Sequence, residues 1–192
     1  MPAAVLAGGL SRRMGRPKAA LSYGAGTLLE FQTNRLVPLF REVFVVVKEP
    51  PDFPYGPARV LCDRAPGSAP LHGVLRALEE AADRVFVMAV DLPALSLEVI
   101  RAIAERGSRT PAPALLPKAG GVLQPLAGVW RRAVLPLARE RIAHGLLSLH
   151  ELAEEAGAEV FPEEEWRPID PFGNSFANMN TLEEYAAMRE RG

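Results

Sequence analysis

The chain has 192 residues, 48% of them hydrophobic and 23% charged, which is enough for one sizeable core and too short for two large domains. Its 22 Lys and Arg against 23 Asp and Glu leave a formal net charge of −1, so it lacks the overall basic excess of a general nucleic-acid binder. The lone cysteine, Cys62, excludes an intrachain disulfide and a Cys-based zinc cluster and points to a reducing cytoplasm. No apolar stretch approaches ~20 residues and no export leader precedes the first strand, so neither a membrane nor a nucleic acid is expected as a partner.

Residues 3–7 form a short, uninterrupted apolar run, the pattern of a strand buried on both faces of a parallel sheet. It breaks into Gly8-Gly9-Leu10-Ser11-Arg12-Arg13-Met14-Gly15-Arg16-Pro17-Lys18. Two glycines permit positive φ and let a ligand approach backbone N–H groups with no Cβ in the way, while Arg12, Arg13, Arg16 and Lys18 concentrate positive charge. The spacing is neither Gly-x-x-x-x-Gly-Lys-Ser/Thr nor Gly-x-Gly-x-x-Gly, so the two best-known phosphate loops do not apply. A plain tight turn with a solvated arginine rim is the alternative, and the density of cations favours an anion cradle over it.

Further along, Thr27 and Glu30 make a capping box that should start a helix running to about Pro38. Val43–Val47 reads as a second buried strand and Arg59–Cys62 as a short third one ending at Asp63. A helix comes next, with Val74, Leu75, Leu78 and Ala82 on one face. Residues 85–90 are another continuous apolar strand, with Asp91 at its carboxyl edge, the side on which open α/β sheets bind ligands. Asp91 is therefore the first candidate for a metal ligand, against the reading of a turn cap before Pro93. Ser96 caps the next helix, with Leu97, Ile100 and Ile103 inward. Residues 114–116 and 124–130 suggest strands, 135–142 and 149–156 helices, the second opened by a Ser148 and Glu151 box, and Val160 an edge strand. Asn178 and Asn180 alternate on an extended stretch and so share a side, and a box at Thr181 and Glu184 opens a terminal helix. This alternation predicts an α/β protein, a three-layer α/β/α sandwich with a mostly parallel sheet.

Leu6-Ala7-Gly8-Gly9, followed by Ser11, Arg13-Met14-Gly15 and Lys18, resembles the signature loop of nucleotidyltransferases, and most of all that of molybdenum cofactor guanylyltransferases of the MobA type. Related cytidylyltransferases begin Leu-Ala-Ala-Gly, so Gly8 leans toward guanine. The resemblance continues through residues 63–73, Val90-Asp91-Leu92-Pro93, Gln124-Pro125-Leu126 and Asn178-Met179-Asn180-Thr181, and so covers nearly the whole length. It implies a single Rossmann-like nucleotidyltransferase domain over residues 1–192 that transfers GMP from GTP to the terminal phosphate of molybdenum-bound molybdopterin. Pyrophosphate would be released.

The same resemblance implies nucleotide binding by Leu6, Ala7, Gly8, Gly9, Ser11, Lys18, Asp63 and Asp91, and catalytic roles for Lys18, Asp91 and Arg13. It also implies Mg²⁺ on Asp91 and acceptor binding by Asn178 and Asn180. Molybdoenzyme apoproteins or cofactor chaperones are the implied recipients of the product. Ala69 replaces glycine in the usual Gly-Pro-Leu-x-Gly pattern, which shifts any close backbone approach to Gly67; Lys48 has no clear counterpart, and His72 is read as a cap or surface residue. Two competitors stay open: a cytidylyltransferase or other nucleotidyltransferase of the fold, and a non-catalytic GTP-binding adaptor that delivers cofactor.

Overall fold

The structure, a computed structural model, describes residues 1–8 and 17–177. In chain order the strands are β1 (Ala3–Leu6), β2 (Ser22–Tyr23), β3 (Gly26–Thr27), β4 (Val43–Val47), β5 (Arg59–Cys62), β6 (Arg84–Ala89), β7 (Ala114–Ala119), β8 (Val122–Leu123), β9 (Ala127–Arg131) and β10 (Glu159–Phe161). The helices are α1 (Leu28–Leu36), α2 (Pro70–Glu80), α3 (Leu97–Arg109), α4 (Leu135–Ala143), α5 (Leu149–Ala156) and α6 (Glu163–Trp166). The main sheet runs β10-β7-β9-β6-β1-β4-β5, with β8 paired to β7 and with β2 and β3 forming a separate hairpin.

β1 lies inside the sheet, parallel to β4 on one side and to β6 on the other. Its four residues are almost wholly buried, because successive side chains enter different cores. Ala3 and Val5 join Val43, Val45, Phe86 and Met88 beneath α1 and α3. Ala4 joins Phe44, Val46, Val85 and Val87 beneath α2, α4 and α5. Two covered faces explain why β1, β4 and β6 read as unbroken apolar runs, and they confirm the expected three layers.

Three helices start as the sequence predicts: Thr27, Ser96 and Ser148 each accept a hydrogen bond from the backbone N–H three residues on, at 3.1, 3.1 and 3.3 Å. α1 stops at Leu36, two residues short of the expected end. On α2, Val74 and Leu78 are buried as expected, but Ala82 lies past the helix and is exposed; Ala77 and Ala81 fill that part of the core.

The larger departure concerns residues 117–131. Gly120 and Gly121, both at positive φ (+56° and +80°), turn β7 back into β8 as a two-residue hairpin. Residues 124–126 are a turn rather than the start of a strand, held by Trp130 Nε1, which donates to the Pro125 carbonyl at 2.9 Å. With no room for a crossover helix, β9 enters antiparallel between β6 and β7. Gly128 is needed there, since a Cβ would stand 2.6 Å from the Leu115 carbonyl oxygen.

Candidate active site

The carboxyl ends of β1, β4, β5 and β6 open onto one cleft of about 270 Å³. Leu6, Ala7 and Gly8 form its floor, and Lys18, Lys48, Asp63 and Asp91 bring charge to it. The backbone continues each strand into the cleft wall: Ala7 N–H donates to the Val46 carbonyl at 2.9 Å, Asp63 N–H to Val47 at 2.7 Å and Val90 N–H to Leu6 at 3.1 Å. Ser68, Ala69 and Pro70 close one side, where α2 begins with proline in its first turn and no side-chain cap. Leu126, carried by the turn before β9, closes another, its carbonyl accepting from Ala89 N–H at 2.9 Å.

Two cation and carboxylate pairs face this space. Lys18 Nζ lies 3.0 Å from Asp91 Oδ2, although 73 positions separate them in sequence. The residues just after Lys18 anchor its backbone: a 3₁₀ turn over Lys18–Ala20 buries Ala19, and Leu21 is buried next to it. Lys48 Nζ lies 2.6 Å from Asp63 Oδ2 and donates also to the Ala65 carbonyl at 2.9 Å. Asp63 Oδ1 accepts from Ala65 N–H at 2.9 Å, so this carboxylate folds the start of the 63–69 loop onto itself.

Of the residues expected from the sequence, the structure gathers Leu6, Ala7, Gly8, Lys18, Asp63 and Asp91 around one cleft. Gly9, Ser11, Arg13, Asn178, Asn180 and the Thr181 cap lie outside the described residues. Gly8 meets only one of the two reasons expected for a glycine there. Its backbone is not at positive φ, and a Cβ there would meet Lys48 N and Val47 Cα at an ordinary 3.7 Å. What glycine leaves is room beside the backbone. The left-handed position of this segment is Gly67, at φ +79° with nothing within 4 Å of its missing Cβ, while it is Ser68 and Ala69 that line the cleft. His72, expected as a cap or surface residue, is buried in the first turn of α2.

Lys48 is the functional candidate that sequence reasoning left without a role. Its signal was position: it comes directly after the last residue of β4, as Asp63 comes after β5 and as Asp91 stands just past β6. Among the described residues no group of three potential metal ligands occurs, and no helix is long and apolar enough to cross a membrane.

Residues 3–168 match the family model of the MobA-like NTP transferase domain. The chain belongs to that family. It is 29% identical over 191 residues to the molybdenum cofactor guanylyltransferase of Syntrophotalea carbinolica, covering 99% of this chain and 91% of the relative. A probable molybdenum cofactor guanylyltransferase of Mycolicibacterium paratuberculosis is 34% identical over 192 residues, covering 97% and 93%. Among solved structures, the molybdopterin-guanine dinucleotide biosynthesis protein A of Archaeoglobus fulgidus superposes with a TM-score of 0.85 at 24% identity, covering all of this chain and 98% of the other. That likeness is one of fold, and it confirms the nucleotidyltransferase architecture.

Proposed function

We propose that this protein transfers GMP from GTP to the terminal phosphate of molybdenum-bound molybdopterin, forming the guanine dinucleotide cofactor and pyrophosphate, with the whole chain acting as one cytoplasmic domain. Family membership and the guanylyltransferase relatives over nearly the full length support it. The observation that carries it is the meeting of Lys18 and Asp91 at 3.0 Å over a floor of Leu6, Ala7 and Gly8. That arrangement sets a mobile cation and a hard oxygen donor beside backbone that a phosphate can approach.

In the reaction, an oxygen of the acceptor phosphate attacks the α-phosphorus of GTP, the bond to the oxygen bridging the α- and β-phosphates breaks, and pyrophosphate leaves. A phosphate monoester is already anionic, so no strong general base is needed; the chain's task is positioning and charge stabilisation. Lys18 exchanges Asp91 for phosphate oxygens as the nucleotide enters. Its compact, flexible ammonium suits a group that changes partner.

The residues present fit Mg²⁺, which takes oxygen ligands and is commonly held by one or two carboxylates with substrate phosphates and water. Asp91 would hold it, since its Oδ1 carries no hydrogen bond among the described residues. When bound, the ion would neutralise charge on the phosphates. Gly9 and Ser11 are assigned to the nucleotide, Arg13 to catalysis, and Asn178 and Asn180 to the acceptor.

Incubation with GTP, Mg²⁺ and molybdenum-bound molybdopterin should yield the guanine dinucleotide and one pyrophosphate per product. Product from CTP alone would reject the guanylyl assignment. A chain that binds GTP but supports cofactor delivery equally well with Asp91→Asn would instead be an adaptor.

A further inference from the structure

α1 reaches across to the turn that carries Asp91. Gln32, fully buried, donates from Nε2 to the Val90 carbonyl at 3.0 Å. Arg35, one turn later on the same face, donates from Nη1 to the Pro93 carbonyl at 2.8 Å. Val90 and Pro93 flank Asp91 and Leu92. With Val90 N–H bonded to the Leu6 carbonyl at 3.1 Å and Leu92 buried, the turn is fixed on both sides of the carboxylate while Asp91 itself faces the cleft.

The clamp carries a desolvation cost. Gln32 Oε1 and Arg35 Nε and Nη2 are buried with no hydrogen-bond partner among the described residues. Desolvation by burial lowers the Arg35 pKa to about 10, against the opposing pull of Tyr23 and Glu98, and the guanidinium lies 5.3 Å from the centroid of the Phe31 ring. If filling space were the only requirement, Leu and Met would fill it without those unpaired side-chain atoms, but the Val90 and Pro93 carbonyls would lose these donors. A helix-borne amide and guanidinium that direct their hydrogen bonds to two carbonyls either side of one partly exposed carboxylate are placed for geometry.

We propose that Gln32 and Arg35 are positioning residues for Asp91: through the Val90 and Pro93 carbonyls they hold the carboxylate at the distance from Lys18 and the cleft floor that metal-dependent turnover requires. The inference rests on the reading of Asp91 as the metal-binding carboxylate. Outer groups that orient a ligand are commonly worth ~10- to 100-fold in metal affinity or activity.

The test compares wild type, Gln32→Leu, Arg35→Met, the double variant and the conservative Arg35→Lys, with Asp91→Asn as reference. Crystal structures report where Asp91 sits, Mg²⁺ titrations of pyrophosphate release report the half-saturating metal concentration, and thermal unfolding reports stability. The expected result is a displaced Asp91 carboxylate in the double variant, a half-saturating Mg²⁺ raised ~10-fold or more, and GTP binding without metal within about two-fold of wild type. Arg35→Lys, which keeps a donor for the Pro93 carbonyl, should recover part of the loss, and the melting temperature should not fall in step with turnover.

An Asp91 carboxylate that stays in place, or an unchanged Mg²⁺ requirement beside a raised one in Asp91→Asn, overturns the proposal. A loss of turnover that only tracks a falling melting temperature does so as well. A fully active Asp91→Asn overturns the underlying reading of the site, and this proposal with it.

Discussion

The two ion pairs of the cleft use the same chemistry at the carboxyl edge of one sheet, yet they are built differently. Asp63 is closed: it is 9% exposed at the side chain, Lys48 and Ala65 N–H occupy its two oxygens, and Lys48 also binds the Ala65 carbonyl. Asp91 is open: 24% exposed, with Lys18 on one oxygen and nothing described on the other. A carboxylate whose acceptors are occupied by its own loop shapes the wall, whereas one with an unused oxygen can exchange a lysine for a ligand. If Asp91 binds the metal as proposed, this difference separates a pair that shapes the cleft wall from one that can take a ligand, at similar distances.

The largest effect that could break the comparison is at Asp91. Asp91→Asn keeps the shape and removes the charge, and turnover should fall by at least ~100-fold, the scale of losing one preorganised electrostatic stabiliser. Thermal unfolding should stay near wild type, because no loop depends on this carboxylate for its hydrogen bonds among the described residues. Retained turnover would make Asp91 a second structural pair and erase the distinction.

Next comes Lys18→Ala, which removes a charge-assisted contact worth ~1.5 to 3 kcal/mol, about 10- to 150-fold in kcat/KM. If the contact strengthens as charge develops, kcat and kcat/KM fall together; a rise in KM alone would mean equal binding of ground and transition states. Stability should change by no more than about 0.5 kcal/mol. Steady-state kinetics beside a thermal melt give both answers, and wild-type kinetics would remove Lys18 from the phosphate site.

Lys48→Met should behave in the opposite sense. It leaves a nearly buried Asp63 without its cation, and with Lys48 partly exposed the expected loss is about 1 to 2 kcal/mol of stability. Through the 63–69 loop it should raise KM for the nucleotide more than it lowers kcat. A variant that melts like wild type but has lost kcat would show that Lys48 touches the reacting phosphates, making the closed pair the catalytic one.

Physical range decides which parts of this arrangement could be read from the sequence. The buried strands around β1 were legible because two covered faces demand continuous apolar runs, and the helix starts because a hydroxyl three residues before its N–H donor is a local signal. Asp91 was legible because a carboxylate just past such a run stands at the sheet edge where ligands bind. The antiparallel entry of β9 was missed although Gly120-Gly121 announces a two-residue hairpin, since Ala127–Arg131 is as apolar as its parallel neighbours. Gln32 and Arg35 had no local signature at all. Their partners lie 58 residues away, and on a helix with a loose apolar period an amide and a guanidinium read as solvent-facing residues.

The smallest expected effect concerns Asp170, a carboxylate closed in the manner of Asp63 but without a lysine. Its Oδ2 accepts from Ser175 N–H at 2.7 Å and its Oδ1 from Gly173 N–H at 3.1 Å, while Ser175 Oγ accepts from Ser96 N–H at 3.2 Å, tying this turn to the start of α3. Burial pushes the carboxyl upward, but hydrogen bonds from Ser175, Asn174 and Gly173 outweigh it and hold the group below its ordinary value. A depressed folded pKa contributes stability that is fully present above the unfolded value of about 3.9 and is lost as pH falls through the lower folded value. Asp170→Asn should therefore cost about 1 kcal/mol at pH 7, the worth of a hydrogen bond, and the gap to wild type should narrow below about pH 4. Because Glu80, Asp83 and Glu159 are depressed as well, wild type alone will lose stability in acid, and only the difference between the two proteins isolates Asp170. Denaturant unfolding of both from pH 7 to pH 3 measures that difference. A gap that persists undiminished at the acid end would mean the turn is held by shape rather than by the charge of the carboxylate, and closure by hydrogen bonds would no longer suffice to mark a carboxylate as structural.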